Sequence, residues 1–74
     1  MNVLSIGGSD TSSGAGIQSD IKTFENHGAY GFTVITAITS QNTKRISEIL
    51  PIPPKVIKSQ LKSILDDFQI DAIK

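Results

Sequence analysis

The spacing of apolar residues in the first part of the chain predicts a strand followed by a helix. Residues 2–7 are short, β-prone and apolar at Val3, Leu4 and Ile6, so we predict a strand that ends at two glycines. From about Gly14 onward the apolar residues take a helical spacing, with Ile17, Ile21 and Phe24 at i, i+4 and i+7. His27 and Gly28 supply a polar last turn and a glycine that ends the helix.

The second part of the chain predicts two strands, a helix and a final strand. Residues 32–40 are rich in β-branched residues without strict alternation, which is typical of a strand covered on both faces. Residues 44–52 form a shorter strand, and Pro51 places its end at a sheet edge. Pro53 and Pro54 open a helix, and residues 69–74 form another strand. The second helix has the clearest apolar stripe, formed by Ile57, Leu61, Ile64, Leu65 and Phe68.

The predicted order β-α-β-β-α-β indicates an α/β fold with a mostly parallel sheet. Such a sheet requires helices on both of its faces, and two helices are too few to cover it. We therefore expect the chain to be the first part of a larger α/β protein that stops within a strand.

Composition excludes several classes of function. Seven basic and seven acidic residues give no formal net charge, so neither nucleic acid nor an anionic membrane is expected as a partner. The absence of cysteine excludes a disulfide scaffold, a thiolate metal site and a cysteine nucleophile, and one histidine cannot build a His-rich metal site. No apolar stretch is long enough for a membrane span or a signal peptide, so we expect a cytoplasmic protein. Because the chain has no cysteine and only one histidine, we also predict no metal site within it.

The glycine-rich loop GGSDTSSGAG, residues 7–16, is the strongest candidate for a ligand site, because it connects a strand to a helix. It lacks the lysine of a phosphate-binding P-loop. It also supports a dinucleotide fingerprint only weakly, because the third glycine is replaced and residues 40–42 contain no acid. Two alternatives stay open, namely a ligand-free connection and a polar pocket for a small uncharged ligand, built by Gly8, Asp10, Asp20 and Gln41. Ser12 or Ser13 is expected to cap the helix, and the carboxylate of Asp10 can orient the loop backbone.

The segments IGGSDTSSGAGIQSDIKTF and HGAYGFTVITAITSQNT resemble the hydroxymethylpyrimidine/phosphomethylpyrimidine kinases of thiamine biosynthesis, which are ribokinase-like. The resemblance runs from Val3 to Lys74 and corresponds to the N-terminal part of that fold. It implies ATP-dependent phosphorylation of a pyrimidine alcohol and of its monophosphate. It also implies that ATP, Mg²⁺ and the catalytic base are bound or supplied outside this chain. Two departures from the family pattern concern the stiffness of the loop, since Thr11 stands where proline is usual and Ser13 where glycine is usual.

The same resemblance implies a substrate site but no catalytic residue within these 74 residues. Its members are Gly8, Ala15, Asp20, Thr39 and Gln41. A carboxamide such as Gln41 can donate to a ring nitrogen and accept from the amino group of an aminopyrimidine. Asp20 could instead be placed near a helix start for reasons of helix polarity alone, and Gln41 could simply cap a turn. The alternatives for the whole protein are a pyridoxal-type kinase of the same fold and a non-catalytic pyrimidine-binding module, and a homodimer is possible.

Overall fold

The computed structural model describes residues 1–74 and contains the four strands and two helices that the sequence predicts, in the predicted order. The elements are β1 (Asn2–Ser9), α1 (Gly16–Asn26), β2 (Tyr30–Gln41), β3 (Ile46–Pro51), α2 (Pro54–Leu65) and β4 (Ala72–Ile73). Pro54 opens α2 and Pro51 ends an edge strand, as expected. The left-handed Gly28, with φ of 74°, follows the end of α1.

The sheet has the order β3-β2-β1-β4 and is mostly parallel, which confirms the predicted fold class. β1 pairs in parallel with both β2 and β4, whereas β3 returns antiparallel to β2. The two parallel neighbours β1 and β2 are joined through α1, as a βαβ unit requires. Their carboxyl ends therefore lie side by side, and residues 10–15 of the glycine-rich segment follow β1 directly as a loop.

The two helices lie on opposite faces of the sheet. Gly31 faces α1, because a Cβ built on it would lie 3.2 Å from the Phe24 ring and 3.5 Å from Ile21. The next residue, Phe32, faces the other way, and its ring packs at a tilt of 55° against that of Phe68, just after α2, with ring centroids 4.7 Å apart. Successive residues of a strand point to opposite faces, so the sheet is covered by one helix on each side.

Helix α2 is fixed to β2 through a side chain rather than through apolar packing alone. The carboxamide of Gln60 accepts from the N–H of Ile35 at 2.9 Å and donates to the carbonyl of the same residue at 2.8 Å. Ile35 precedes a register shift at which β2 has one residue more than β1, so that Gly8 pairs with Ala37. The β3 pairing begins only at Ala37, so Gln60 serves backbone groups that β3 does not reach.

Several element boundaries differ from the prediction. β1 continues two residues beyond the predicted end because Ser9 still pairs with Ile38 of β2. Helix α1 begins at Gly16 rather than at about Gly14, because the intervening residues form a closed loop. The predicted final strand over residues 69–74 shrinks to Ala72–Ile73, and the backbones of Asp71 and Lys74 on either side also bond to β1.

The buried core is small, because only Leu4, Ile17 and Val34 are buried apolar residues. The Cα atoms extend over 37 × 31 × 13 Å. Large apolar side chains are exposed over β3 and around α2; they include Ile46, Ile49, Leu50, Leu65 and Phe68. The sheet is therefore only partly covered by its own two helices, as the sequence predicts.

Candidate functional site

The candidate site lies where the carboxyl ends of β1 and β2 meet the loop that precedes α1. β1 ends at Ser9 and β2 ends at Gln41, on adjacent parallel strands. Open α/β sheets bind their ligands at this edge. Residues 10–15 form the loop between β1 and α1, and their hydrogen bonds determine the geometry of the site.

The loop is closed around the carboxylate of Asp10, which is only 3% exposed. Its Oδ1 accepts from the backbone N–H and the hydroxyl of Ser12 at 2.8 and 2.7 Å, and its Oδ2 accepts from the N–H of Ala15 at 2.9 Å. These bonds, with that of the Ser12 hydroxyl foremost, lower the pKa of Asp10. The interpretation of Asp10 as a residue that orients the loop is confirmed by these bonds.

The predicted serine cap of α1 is wrong, because the N-cap residue is Ala15 and no side chain caps the helix. The hydroxyl of Ser12 is instead bonded to Asp10. Ser13 occupies the left-handed region, with φ of 65°, which favours glycine. The departure from the family pattern at Ser13 therefore falls on the loop residue whose backbone most favours glycine.

Gly16, the first residue of α1, allows the loop to pack against β1. Its φ is 64°, and a Cβ built on it would lie 2.4 Å from the carbonyl oxygen of Gly8 and 3.3 Å from the nitrogen of Asp10. An L side chain would meet both a strained backbone and a backbone clash at this position. The close approach brings Gly8 and Ala15, two of the predicted site residues, to the same end of the sheet.

Gln18 is a residue that the sequence interpretation missed. Its Oε1 accepts from the N–H of Asp10 at 2.8 Å, and its Nε2 donates to the hydroxyl of Ser9 at 2.8 Å. Gln18 is the third residue of α1, where glutamine commonly reaches back to free backbone donors. Its place in the first turn of the helix could have indicated this role from the sequence. The side chain holds the start of the loop against α1.

Thr39 and Gln41 come together at the end of β2, as predicted from their two-residue spacing. The Thr39 hydroxyl lies 2.8 Å from the carbonyl oxygen of Ser9 and 2.6 Å from Oε1 of Gln41. A hydroxyl has one proton to donate, and it cannot donate to both oxygens at once. Turning the carboxamide so that Nε2 donates to Thr39 satisfies both contacts and leaves Oε1 free, since the two ends of an amide are assigned from such networks.

The backbone of Gln41 is bonded to the loop through Thr11. The Thr11 hydroxyl donates to the carbonyl of Gln41 at 2.5 Å and accepts from its N–H at 2.8 Å. The proline that is usual at this position in the family pattern has no group that could make either bond. Two threonine hydroxyls thus hold this end of the sheet, since Thr11 joins the loop to Gln41 and Thr39 joins β2 to Ser9 at the end of β1.

Asp20 lies on α1 and bonds to a different set of residues. Its Oδ2 accepts from the hydroxyl of Ser5 at 2.6 Å, its Oδ1 accepts from the ammonium of Lys74, and its side chain is 17% exposed. The bond to Lys74, then that to Ser5, lowers the pKa of Asp20. The structure therefore groups Gly8, Ala15, Thr39 and Gln41 around the loop, whereas Asp20 joins α1 to β1 and to the residue after β4.

Other features of the chain lie away from this edge. A cavity of about 300 Å³ lies at the opposite end of the sheet, lined by Met1, Val3, Phe24, His27 and neighbouring residues. No three His, Cys, Asp or Glu side chains come together as a metal site requires. No helix has both the length and the apolar character needed to cross a bilayer.

Comparison with known proteins shows the family. The sequence model of the family described as phosphomethylpyrimidine kinase matches residues 10–74. The hydroxymethylpyrimidine/phosphomethylpyrimidine kinase of Aquifex aeolicus is 51% identical over the whole chain, which spans 29% of that relative's length.

Solved structures of kinases share the fold. A phosphomethylpyrimidine kinase from Clostridium difficile superimposes with a TM-score of 0.94 at 46% identity, covering 99% of this chain and 34% of that one. A pyridoxal kinase from Staphylococcus aureus, solved in complex with pyridoxal, gives 0.84 at 42% identity, covering 97% of this chain and 27% of that one. With the family pattern matched over residues 10–74 and the ribokinase-like fold reproduced in these kinases, the chain belongs to the phosphomethylpyrimidine kinase family.

Proposed function

We propose that residues 1–74 are the N-terminal portion of a single ribokinase-like kinase domain and hold its substrate-binding part. The whole protein would phosphorylate 4-amino-5-hydroxymethyl-2-methylpyrimidine and its monophosphate with ATP, in thiamine biosynthesis. The observation that carries the proposal is the carboxamide of Gln41, held beside the glycine-rich loop at the carboxyl edge of a parallel sheet. Relatives that share this segment at 51% identity carry the corresponding kinase name.

The chemistry of the pyrimidine suits this carboxamide. An aminopyrimidine presents a ring-nitrogen acceptor beside an amino donor, and an amide offers one donor side and one acceptor side. When Nε2 of Gln41 donates to Thr39, its second N–H and the Oε1 are left to pair with the pyrimidine edge. Gly8 and Ala15 carry no bulky side chains, which leaves space for a flat ring near the loop.

Asp20 would be an additional hydrogen-bond acceptor for the substrate. Both its oxygens already accept a hydrogen bond, from Ser5 and from Lys74. A carboxylate has about four acceptor sites, so a substrate donor can be added without breaking either bond. We keep Asp20 in the proposed substrate site as an additional acceptor for the hydroxyl or amino group of the alcohol.

Binding of Mg-ATP and the catalytic base would come from the rest of the protein. Residues 1–74 contain no lysine in the glycine-rich loop and no cluster of metal-ligating side chains, so they do not fit Mg-ATP as they stand. Family resemblance puts ATP, Mg²⁺ and the catalytic base further along the chain, and we propose that division here. A cytoplasmic location and a homodimer of the whole protein complete the proposal.

Pyridoxal kinase is the second candidate, favoured by one specific observation. The pyridoxal complex from Staphylococcus aureus matches 97% of this chain at 42% identity. Pyridoxal also carries a hydroxymethyl group on a nitrogen-containing aromatic ring, but it lacks the amino group beside a ring nitrogen. The Gln41 carboxamide would then lose one of its two partners, which favours the pyrimidine.

The test is a comparison of alcohols with the protein at the full length of its relatives. Steady-state phosphorylation rates are measured for the hydroxymethylpyrimidine and for pyridoxal at saturating Mg-ATP. We expect kcat/KM for the pyrimidine to be at least about tenfold higher, since one unpaired buried group costs about 1–3 kcal/mol. A preference for pyridoxal would replace the proposal by the second candidate. Saturable pyrimidine binding without turnover would indicate a non-catalytic binding module instead.

A further inference from the structure

The hydroxyl of Thr11 bonds both backbone groups of a single residue, Gln41. It donates to the carbonyl oxygen at 2.5 Å and accepts from the N–H at 2.8 Å. The arrangement resembles the paired exchange of bonds between neighbouring strands, with one side chain in place of a strand. It fixes the position of the Gln41 backbone relative to the loop.

The sheet alone holds the backbone of Gln41 only weakly in place. It is the last residue of β2, and the register with β3 shifts between Ser40 and Gln41. The following residues 42–45 form a turn in which Asn42 bonds to Arg45. Without the Thr11 hydroxyl, the backbone carbonyl and N–H of Gln41 would have only solvent as hydrogen-bond partners.

The two threonines have separate effects on Gln41. Thr39 contacts the carboxamide at 2.6 Å and sets its direction. Thr11 holds the peptide groups, so it sets the place from which the side chain starts. A small displacement of that backbone would move the carboxamide relative to Gly8 and the loop, where the ring of the substrate is proposed to lie.

We propose that Thr11 is a positioning residue for substrate recognition, acting through Gln41 and not on the reacting atoms. The inference rests on the proposed function, because it assigns to Gln41 the contact with the alcohol substrate. Thr11 should therefore affect binding of the alcohol and leave nucleotide binding and the chemical step nearly unchanged.

The test compares three variants of the full-length protein. Thr11→Val removes the hydroxyl and keeps the shape, Thr11→Ser keeps the hydroxyl, and Thr43→Val makes the same change at a threonine whose hydroxyl has no partner in the structure. Because a net hydrogen bond contributes about 0.5–1.5 kcal/mol, the loss of two bonds predicts a rise of about 5- to 150-fold in the KM for the alcohol in Thr11→Val. Thr11→Ser and Thr43→Val should stay within about twofold of the parent, with kcat and the KM for ATP unchanged in all three.

Hydrogen–deuterium exchange at the backbone N–H of Gln41 supplies an independent measurement. Exchange should accelerate in Thr11→Val and not in Thr11→Ser, because only the first loses the acceptor. Unchanged exchange, or faster exchange with an unchanged KM, would overturn the inference. If the parent prefers pyridoxal, the proposed function fails, but a rise in the KM for pyridoxal in Thr11→Val would still support the role of Thr11. An unchanged KM for pyridoxal would overturn that role as well.

Discussion

Replacing Gly16 by alanine adds one methyl group at the most crowded glycine of the chain. The new Cβ would lie 2.4 Å from the carbonyl oxygen of Gly8, a distance that real Cβ contacts essentially never show. The neighbour is backbone within β1, so it cannot move aside as a flexible side chain would. Gly16 also has φ of 64°, a conformation that costs an L residue additional strain.

Gly28 provides a matched control for the strain without the clash. Its φ of 74° is similar, but nothing lies within 4 Å of a Cβ built there. Left-handed backbone costs alanine about 1–2 kcal/mol, of which about 0.4–1 is offset by the smaller entropy of the unfolded chain. Gly28→Ala should therefore destabilise by about 1 kcal/mol.

The clash adds a separate cost at Gly16. Forcing extra atoms into a packed site typically costs about 1–3 kcal/mol. Gly16→Ala should therefore destabilise the protein by about 2–4 kcal/mol, which is a large fraction of the stability of an ordinary domain.

Urea unfolding of the full-length protein and of both variants measures the difference. The midpoints should fall in the order parent, Gly28→Ala, Gly16→Ala, with an unchanged dependence on urea concentration. Equal losses of stability in the two variants would refute the close contact between Gly16 and Gly8. A loss at Gly28 exceeding that at Gly16 would refute it more strongly.

Three further predictions concern the loop, the Asp20 ion pair and the isolated chain. Ser13→Gly should stabilise the protein by about 0.5–1 kcal/mol in urea unfolding, because relief of left-handed strain exceeds the added entropy of the unfolded chain; a loss of stability would contradict this. Bonds from Lys74 and Ser5 lower the pKa of Asp20 in the folded protein below its value of about 4 in the unfolded chain. The ionised carboxylate therefore stabilises the fold above about pH 4, and this stabilisation is lost as the pH falls through the pKa of the folded state. The stability difference between the parent and Asp20→Asn should thus be largest above about pH 5 and shrink on acidification; a constant difference would contradict the ion pair. The isolated 74-residue chain should self-associate or unfold at low urea in sedimentation and denaturation measurements, because its apolar surface is largely exposed, and a cooperative, stable monomer would contradict this.

The elements were predictable because periodicity reflects burial, and burial decides which face of each element is apolar. Helices α1 and α2 follow their apolar stripes. Pro54 marks the start of α2 and Gly28 the end of α1, because of the backbone conformations that these two residues favour. The end of β1 was not predictable from local propensity. Gly8 and Ser9 are poor strand formers, and only their pairing with β2 keeps them in the sheet.

The contact between Thr39 and Gln41 was predictable from their two-residue spacing on one strand, whereas the substrate role that the family pattern implies stays a prediction. Sequence spacing could not show that Asp20 bonds to Lys74, because the two are 54 positions apart and meet only when β4 pairs beside β1. The serine cap failed for a related reason. Ser12 has the right chemistry for a cap, but the buried carboxylate of Asp10 takes its hydroxyl.

The central claim is that Gln41 recognises the pyrimidine, and the kinetics of Gln41→Ala in the full-length protein test it most directly. Removing the carboxamide leaves the aminopyrimidine edge without its partner, and leaving one buried polar group unsatisfied costs about 1–3 kcal/mol. We predict that kcat/KM for the hydroxymethylpyrimidine falls about 10- to 100-fold while the KM for ATP is unchanged. Gln69→Ala, at a glutamine whose side chain has no hydrogen-bond partner, should match the parent. A Gln41→Ala enzyme within twofold of the parent would contradict the account, and Gln41 would then be only a residue at a strand end.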